Sequence, residues 1–287
     1  MSRSTRSTRR SRSSASGFSS LELLISLGII SIAMAATSGL FLASRNFMRD
    51  QNLELETTQA ARATADTMLR ELRLGGACLP VTGDFISLNG KDNGQLDELT
   101  TRTGLTRSDL SCVRTATAQD AAAGATVANV ESVDGFAANM RAYIRNGAGT
   151  GEFVTVGSID TTNKNITFSS ALSADYPATS GLYAIDERRF FVESDGEAPV
   201  LKMEINSDGQ PQNLASGIEQ LNVQYQLFRN CPSCDVVDLP ADDATWALVQ
   251  QVYLTITARS QQLAPNGEYY KRTLKVGIKP RNLLPGS

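Results

Sequence analysis

Histidine is absent from all 287 residues. That removes the commonest general base, the Ser-His and Cys-His nucleophile pairs and the mixed Cys/His zinc sites in one step. No nucleophile elbow and no Ser-x-x-Lys motif replaces them, so the many Ser and Thr hydroxyls lack a recognisable activating base, and the chain reads as a non-enzyme with no cofactor. Acidic residues are missing from the first 17 positions, which carry Arg3, Arg6, Arg9, Arg10 and Arg12. The remainder then holds 22 basic and 30 acidic groups, a net charge of −8. A body this acidic has no phosphate-binding footprint, so no nucleic acid is expected as partner. Proline and glycine are both missing from residues 45–74, which excludes a turn there.

What is present begins with a basic leader and an apolar run. Residues 1–17 are Arg, Ser and Thr plus Met1, Ala15 and Gly17, a composition that buries no core and marks a separate functional unit. Residues 18–44 then run for 27 positions with Glu22 as the single charge, and about 20 apolar residues in a helix cross the hydrocarbon core of a bilayer. The arginine cluster before the run should stay cytoplasmic, which places everything after Ser44 outside the cytoplasm; Arg45 and Arg49 on the far side are a weaker contrary signal. A conventional secretory signal puts its cleavage site after the apolar run, whereas here the small residues and Gly17 precede it. A carboxylate within a membrane span costs roughly 2.5–3.5 kcal/mol on insertion scales, so Glu22 either snorkels to the interface or has a partner.

The octet Gly17-Phe18-Ser19-Ser20-Leu21-Glu22-Leu23-Leu24, set between a basic leader and a long apolar run, resembles the prepilin signature of type IV pilins and type II secretion pseudopilins. The resemblance implies a membrane-embedded prepilin peptidase that cuts after Gly17 and methylates the new terminal amine of Phe18. It also implies that Glu22 pairs with the amine of Phe18, its own or a neighbouring subunit's, as the helix enters a filament. Ser19-Ser20 departs from the more usual Thr-Leu. Gly39 stands where many major pilins carry a helix-bending proline and reads either as a weak point or as a packing glycine.

Beyond the run, Ala61, Ala65, Met68 and Leu72 recur at helical spacing, Arg62, Asp66 and Arg70 stand four apart on the other face, and Gly75-Gly76 supplies a stop. Residues 18–74 therefore predict one helix of about 57 residues, roughly 85 Å long, half in lipid and half packed on a head. A coiled coil is disfavoured because heptads are not sustained. Residues 78–126 read as loops with a short helix at 108–113, and strand patterns follow at 152–159, 165–172, 182–193 and 200–205. Three later segments alternate: Ile218, Leu221, Val223, Tyr225 and Leu227; Val252, Leu254, Ile256 and Ala258; and Leu274, Val276 and Ile278. A long helix on an antiparallel sheet buries all these stripes, an α+β pilin-like arrangement. The expected organisation is a leader at 1–17, a transmembrane and assembly helix at 18–44, its amphipathic continuation at 45–76 and an extracytoplasmic β-rich head at 77–287. The C-terminal order from Gly217 through Tyr225, then Trp246, then 252–259 and 272–282, resembles the PilW and pseudopilin J branch, which implies a minor subunit.

Four cysteines, Cys78, Cys112, Cys231 and Cys234, lie outside the cytoplasm on this topology, so disulfides pairing Cys78 with Cys112 and Cys231 with Cys234 are expected. The CPSC spacing also fits a redox pair or half a zinc site, although no second close pair accompanies it. Acidic clusters at 92–98 and 235–243 lack the spacing of a calcium loop and read as solvated loops. The leading expectation is a PilW-like minor type IV pilin of the bacterial inner membrane, later part of the pilus at its tip or base. Its partners would be the prepilin peptidase, other minor pilins, the major pilin, a tip adhesin and, before assembly, membrane lipid. A J-type pseudopilin of type II secretion, a non-polymerising single-pass protein with a ligand-binding β domain, and a redox protein using Cys231 and Cys234 stand as alternatives.

Overall fold

The computed structural model describes residues 19–80, 85–194, 198–228 and 236–282. Residues up to Gln51 and residues from Asn52 onward form two separate units. The first contains the start of helix α1 (Ser20–Leu74), and every side chain described in it is solvent-exposed. Apolar groups as large as Ile32, Leu40 and Phe41 lie open along it.

In the second unit α1 is one-sided. Leu53, Thr57, Ala61, Thr64, Ala65, Met68, Glu71 and Leu72 are buried, and their steps of one, three and four residues keep them on a single stripe. Thr57 satisfies its buried hydroxyl by donating to the carbonyl of Leu53 at 2.8 Å. The helix stops where the glycines are: the Gly75 amide donates to Glu71 O and Leu72 O, while the Gly76 amide leaves the helix and donates to Arg102 O at 2.8 Å. Gly76 has φ +79°, and a Cβ on it would stand 2.5 Å from the carbonyl oxygen of Asn282, so both the left-handed turn and the close chain approach need glycine.

Among the described residues ten strands form the larger sheet. They are β1 (Leu88–Lys91), β2 (Glu98–Gly104), β3 (Arg114–Ala116), β4 (Val127–Asn129), β5 (Arg141–Arg145), β6 (Gly151–Asp160), β7 (Asn165–Phe168), β8 (Gly181–Glu193), β9 (Val200–Ile205) and β10 (Gln212–Ser216). All their pairings are antiparallel. The 13-residue β8 is the hub, its first half paired with β3 on one edge and β5 on the other, its second half with β2 and β9. The second sheet runs β12-β11-β13-β14, from β11 (Ile218–Leu227), β12 (Val236–Val237), β13 (Val249–Leu263) and β14 (Tyr269–Ile278). The one-turn helix α2 (Asp243–Trp246) precedes β13 and is capped by Asp242, whose carboxylate accepts the Thr245 amide at 2.8 Å.

Two main cores result. In the first, the α1 stripe meets Leu99 of β2, Phe190 of β8, Leu201 of β9 and the apolar faces of β11 and β13. The chain is thus an α+β protein with its helix packed on antiparallel sheet. The second core lies within the larger sheet and its loops, around Ile144, Val156, Ile166, Tyr176 and Leu182. The alternating segments lie where periodicity puts them, and the three-residue step from Ile218 to Leu221 is a register shift in the β11–β13 pairing, a bulge that follows Gly217 at φ +79°.

Three expectations fail. Residues 78–126 are not only loops, since β1, β2 and β3 lie there, and residues 108–113 form no helix but a turn with Leu110 at φ +65°. Asp109 decides it by accepting both the amide and the hydroxyl of Ser111, an alternative to helical hydrogen bonds. The strand pattern at 165–172 also ends early, at Phe168.

Leu72 is completely buried. Leu72→Ala should therefore lower the stability of the full chain in detergent by about 2–5 kcal/mol, read as a shift in denaturant midpoint with little change in slope. Gly76→Ala should cost about 1–3 kcal/mol by the same measurement.

Candidate functional site

The first unit presents the chain's candidate membrane and assembly surface. Ser19 begins it: its carbonyl accepts the Leu23 amide at 3.1 Å and its hydroxyl accepts the Leu21 amide at 3.4 Å. Glu22 lies in the first turn of α1, where the exposed peptide N–H groups favour a negative charge. From Leu23 to Ser44 no charged residue interrupts the helix for 22 positions, roughly 33 Å at 1.5 Å per residue, against a hydrocarbon core of about 30 Å. The polar side chains within it are largely turned inward on the backbone. Ser26 donates to Leu23 O, Ser31 to Gly28 O and Thr37 to Ala33 O and Met34 O, at 2.8–3.0 Å. With its backbone bonded within the helix and these three hydroxyls satisfied there too, the segment suits an apolar surrounding. Among the described residues one helix, α1, is thus long and apolar enough to cross a membrane. The helix continues through Gly39, and neither Gly28 nor Gly39 has another group of the chain within 4 Å of a Cβ position. Gly17 and Phe18, the expected cleavage and methylation residues, lie outside the described residues.

Cys78 and Cys112 form a disulfide with Cα atoms 5.5 Å apart. It ties the segment leaving α1 to the turn before β3. The close fit there is seen at Gly104, where a Cβ would lie 2.6 Å from Cys78 Cβ, and whose amide donates to Ala77 O at 2.7 Å. Cys231 and Cys234 lie outside the described residues.

The acidic cluster at 92–98 corrects one reading, because it is not uniformly solvated. Asp97 is buried and accepts the amides of Val223 at 2.8 Å and Asn93 at 3.0 Å. Burial pushes its carboxyl above the usual range despite those bonds, which pull the other way. Asp97 thereby joins the β1–β2 loop to β11. Glu98 pairs with Arg189 at 3.1 Å and Lys91 at 3.5 Å. These carboxylates are taken by backbone donors and cations, and among the described residues no group of three or more metal-binding side chains converges.

A buried charged cluster escapes the sequence patterns altogether. Arg102 of β2 donates through Nε to Glu187 Oε2 of β8 at 2.6 Å and through a terminal nitrogen to Ile86 O at 2.8 Å. Arg141 of β5 lies 3.6 Å from Glu187 Oε1, the Ser207 hydroxyl donates to that oxygen at 3.0 Å, and both guanidiniums stack over Phe153. Burial alone would raise the Glu187 carboxyl, but the charge and hydrogen bond of Arg102, with help from Arg141 and Ser207, hold it below the ordinary value. A second bridge, Arg188 to Glu71 at 2.6 Å, fastens α1 to β8, and Asp186 shares the same guanidinium at 2.9 Å. In the sequence Arg102 stands in a Thr-rich stretch 85 residues from Glu187, with no motif to join them.

A scan against protein-family models finds no match to the chain, and a search of curated proteins finds no relative of significant similarity.

Replacing Cys78 and Cys112 together by Ser should lower stability by about 3–4 kcal/mol, the entropy of closing a loop with a separation of 34 residues. The midpoint should match that of reduced wild type. Glu187 is a lowered carboxylate, so its contribution is present above the ordinary glutamate value and is lost as pH falls through the lower folded value. Glu187→Gln should cost about 3–5 kcal/mol at pH 7 and reduce the loss of stability between pH 5 and 3, read from denaturation midpoints across that window.

Proposed function

We propose that the chain is a type IV pilin-like subunit, most specifically a PilW-like minor pilin that takes part in priming pilus assembly and belongs to the tip or base of the fibre. The observation that carries this reading is α1 itself. It is exposed and uncharged for the 22 residues from Leu23 to Ser44 and one-sided over its last turns, where it docks on antiparallel sheet. An ordinary single-pass anchor has no need of a 55-residue unbroken helix that is also the core helix of its own head. A subunit that leaves lipid for the interior of a protein fibre does, because a lipid-compatible surface also packs against its own kind. The leader resemblance supplies the trigger: removal of residues 1–17 frees the amine of Phe18, and Glu22, in the first turn, provides the countercharge.

On this reading the prepilin peptidase is the first partner and lipid the resting environment, with the head on the periplasmic side. Other minor pilins, the major pilin and a tip adhesin follow as neighbours in the fibre. The mechanism is templated hydrophobic packing: the helix offers the surface on which the next subunit adds, and pairing Glu22 with an amine offsets the cost of a lone intramembrane carboxylate, roughly 2.5–3.5 kcal/mol.

Mass analysis of the protein from cells assembling the fibre checks the reading. The expected mature chain starts at N-methylated Phe18, and Gly17→Ala leaves the leader attached. A working protein that retains Met1 to Gly17 would overturn it. Glu22→Ala should be processed normally yet enter fibres at least tenfold less, measured by subunit content of sheared filaments; unchanged content would remove the pairing role.

A further inference from the structure

The head carries an open groove of about 420 Å³ on the larger sheet, on the face turned away from the second core. Its floor follows from strand register. Arg114 of β3 is opposite Tyr183 of β8, and Ala116 is opposite Gly181; on the other edge of β8, Gly181 is opposite Arg145 of β5. Residues opposite one another, or two apart along a strand, share a face. Arg114, Tyr183, Gly181 and Arg145 therefore rise together, while Leu182 and Ala184 point into the core. A Cβ at Gly181 would lie 2.8 Å from the Tyr183 ring, so the ring leans over the bare glycine and makes a flat apolar floor between two arginines. Glu131 and Asn146 complete the rim.

The rim also holds Thr179, a β-branched residue at φ +72°. Such a conformation persists only where the surroundings over-determine it, and it concentrates at binding sites. Here Thr117, almost fully buried, does the holding. It accepts the Thr179 amide on its carbonyl at 2.7 Å and the Ser180 amide on its hydroxyl at 3.0 Å. Its own amide donates to Ser180 O at 2.9 Å, and its hydroxyl donates to Pro177 O at 2.8 Å.

We propose that this groove binds a carboxylated sugar. Two guanidiniums on one face, on the strands that flank β8, suit a carboxylate. The tyrosine-over-glycine floor suits the C–H face of a pyranose ring, and the Thr179, Asn146 and Glu131 side chains suit its hydroxyls. Charge separates this ligand from a polyanion: a lining of two arginines and one glutamate suits one carboxylate but not several anionic groups, on a body whose net charge past the leader is −8. The site is independent of the helix-based assembly role, and its test does not touch α1.

Titration calorimetry on the full chain in detergent, with galacturonate and N-acetylneuraminate as probes and galactose and inorganic phosphate as controls, decides the matter. Saturable binding of at least one carboxylated probe is expected, at least tenfold tighter than galactose or phosphate. Arg114→Gln, at an exposed position, should weaken that binding at least tenfold without moving the unfolding midpoint. Absence of saturable binding by both acidic sugars, galactose binding as well as they do, phosphate binding as tightly or tighter, or an unchanged affinity in Arg114→Gln would each overturn the proposal.

Discussion

The stripe that α1 buries against the two sheets is the constraint on which the head depends. Ala61, Ala65, Met68 and Leu72 form one wall of the first core, and β2, β8, β9, β11 and β13 contribute the rest. No other helix of comparable length is available among the described residues to close it. Small alanines stand at two of these positions, and the larger Met68 and Leu72 share the same core with Phe190 and Leu99. The buried Glu71 does not weaken this wall, because Arg188 reaches it from β8.

The same helix obeys a different rule in the first unit. From Leu23 to Ser44 the helix carries no charge on any side, and the hydroxyls of Ser26, Ser31 and Thr37 are bonded to the backbone a turn earlier, which is the pattern for an apolar surrounding rather than for water. A helix that is uniform in one part and one-sided in another is a single element built to two different surface patterns. Glu22 is the exception in the uniform part, and its place in the first turn keeps it beside the unsatisfied N–H groups of the helix start.

Polar groups inside the head are spent on joining elements that the apolar pattern alone leaves loosely placed. Asp97 carries the β1–β2 loop to β11, Glu187 gathers β2, β5 and the turn after β9 around one carboxylate, and Thr117 locks the turn before β8. Each is a satisfied network rather than a lone charge, which is the condition for keeping such groups buried. The disulfide between Cys78 and Cys112 adds a covalent tie at the point where the chain leaves α1.

Periodicity alone determined the helix, its stop at Gly75-Gly76 and the inward faces of β11, β13 and β14, because a continuous apolar stripe has one way to be buried. Val200–Ile205 and most of Gly181–Glu193 were legible for the same reason. Strand β2 was not: Leu99 is the one apolar side chain among its buried positions, which are otherwise Thr101, Arg102 and Gly104, and Arg102 looks like a surface residue until Glu187, 85 residues away, neutralises it. Asp97 likewise reads as part of a solvated acidic run until β11 supplies an amide. That Arg114 and Arg145 share one face on either side of β8 depends on register, and register is a property of the assembled sheet. Local composition thus decided which segments are helix or apolar strand, whereas only the tertiary structure decided where charge is buried and which distant side chains share a face. Short-range hydrogen bonding and side-chain period act within a few residues, but the partner of a buried charge is chosen by folding.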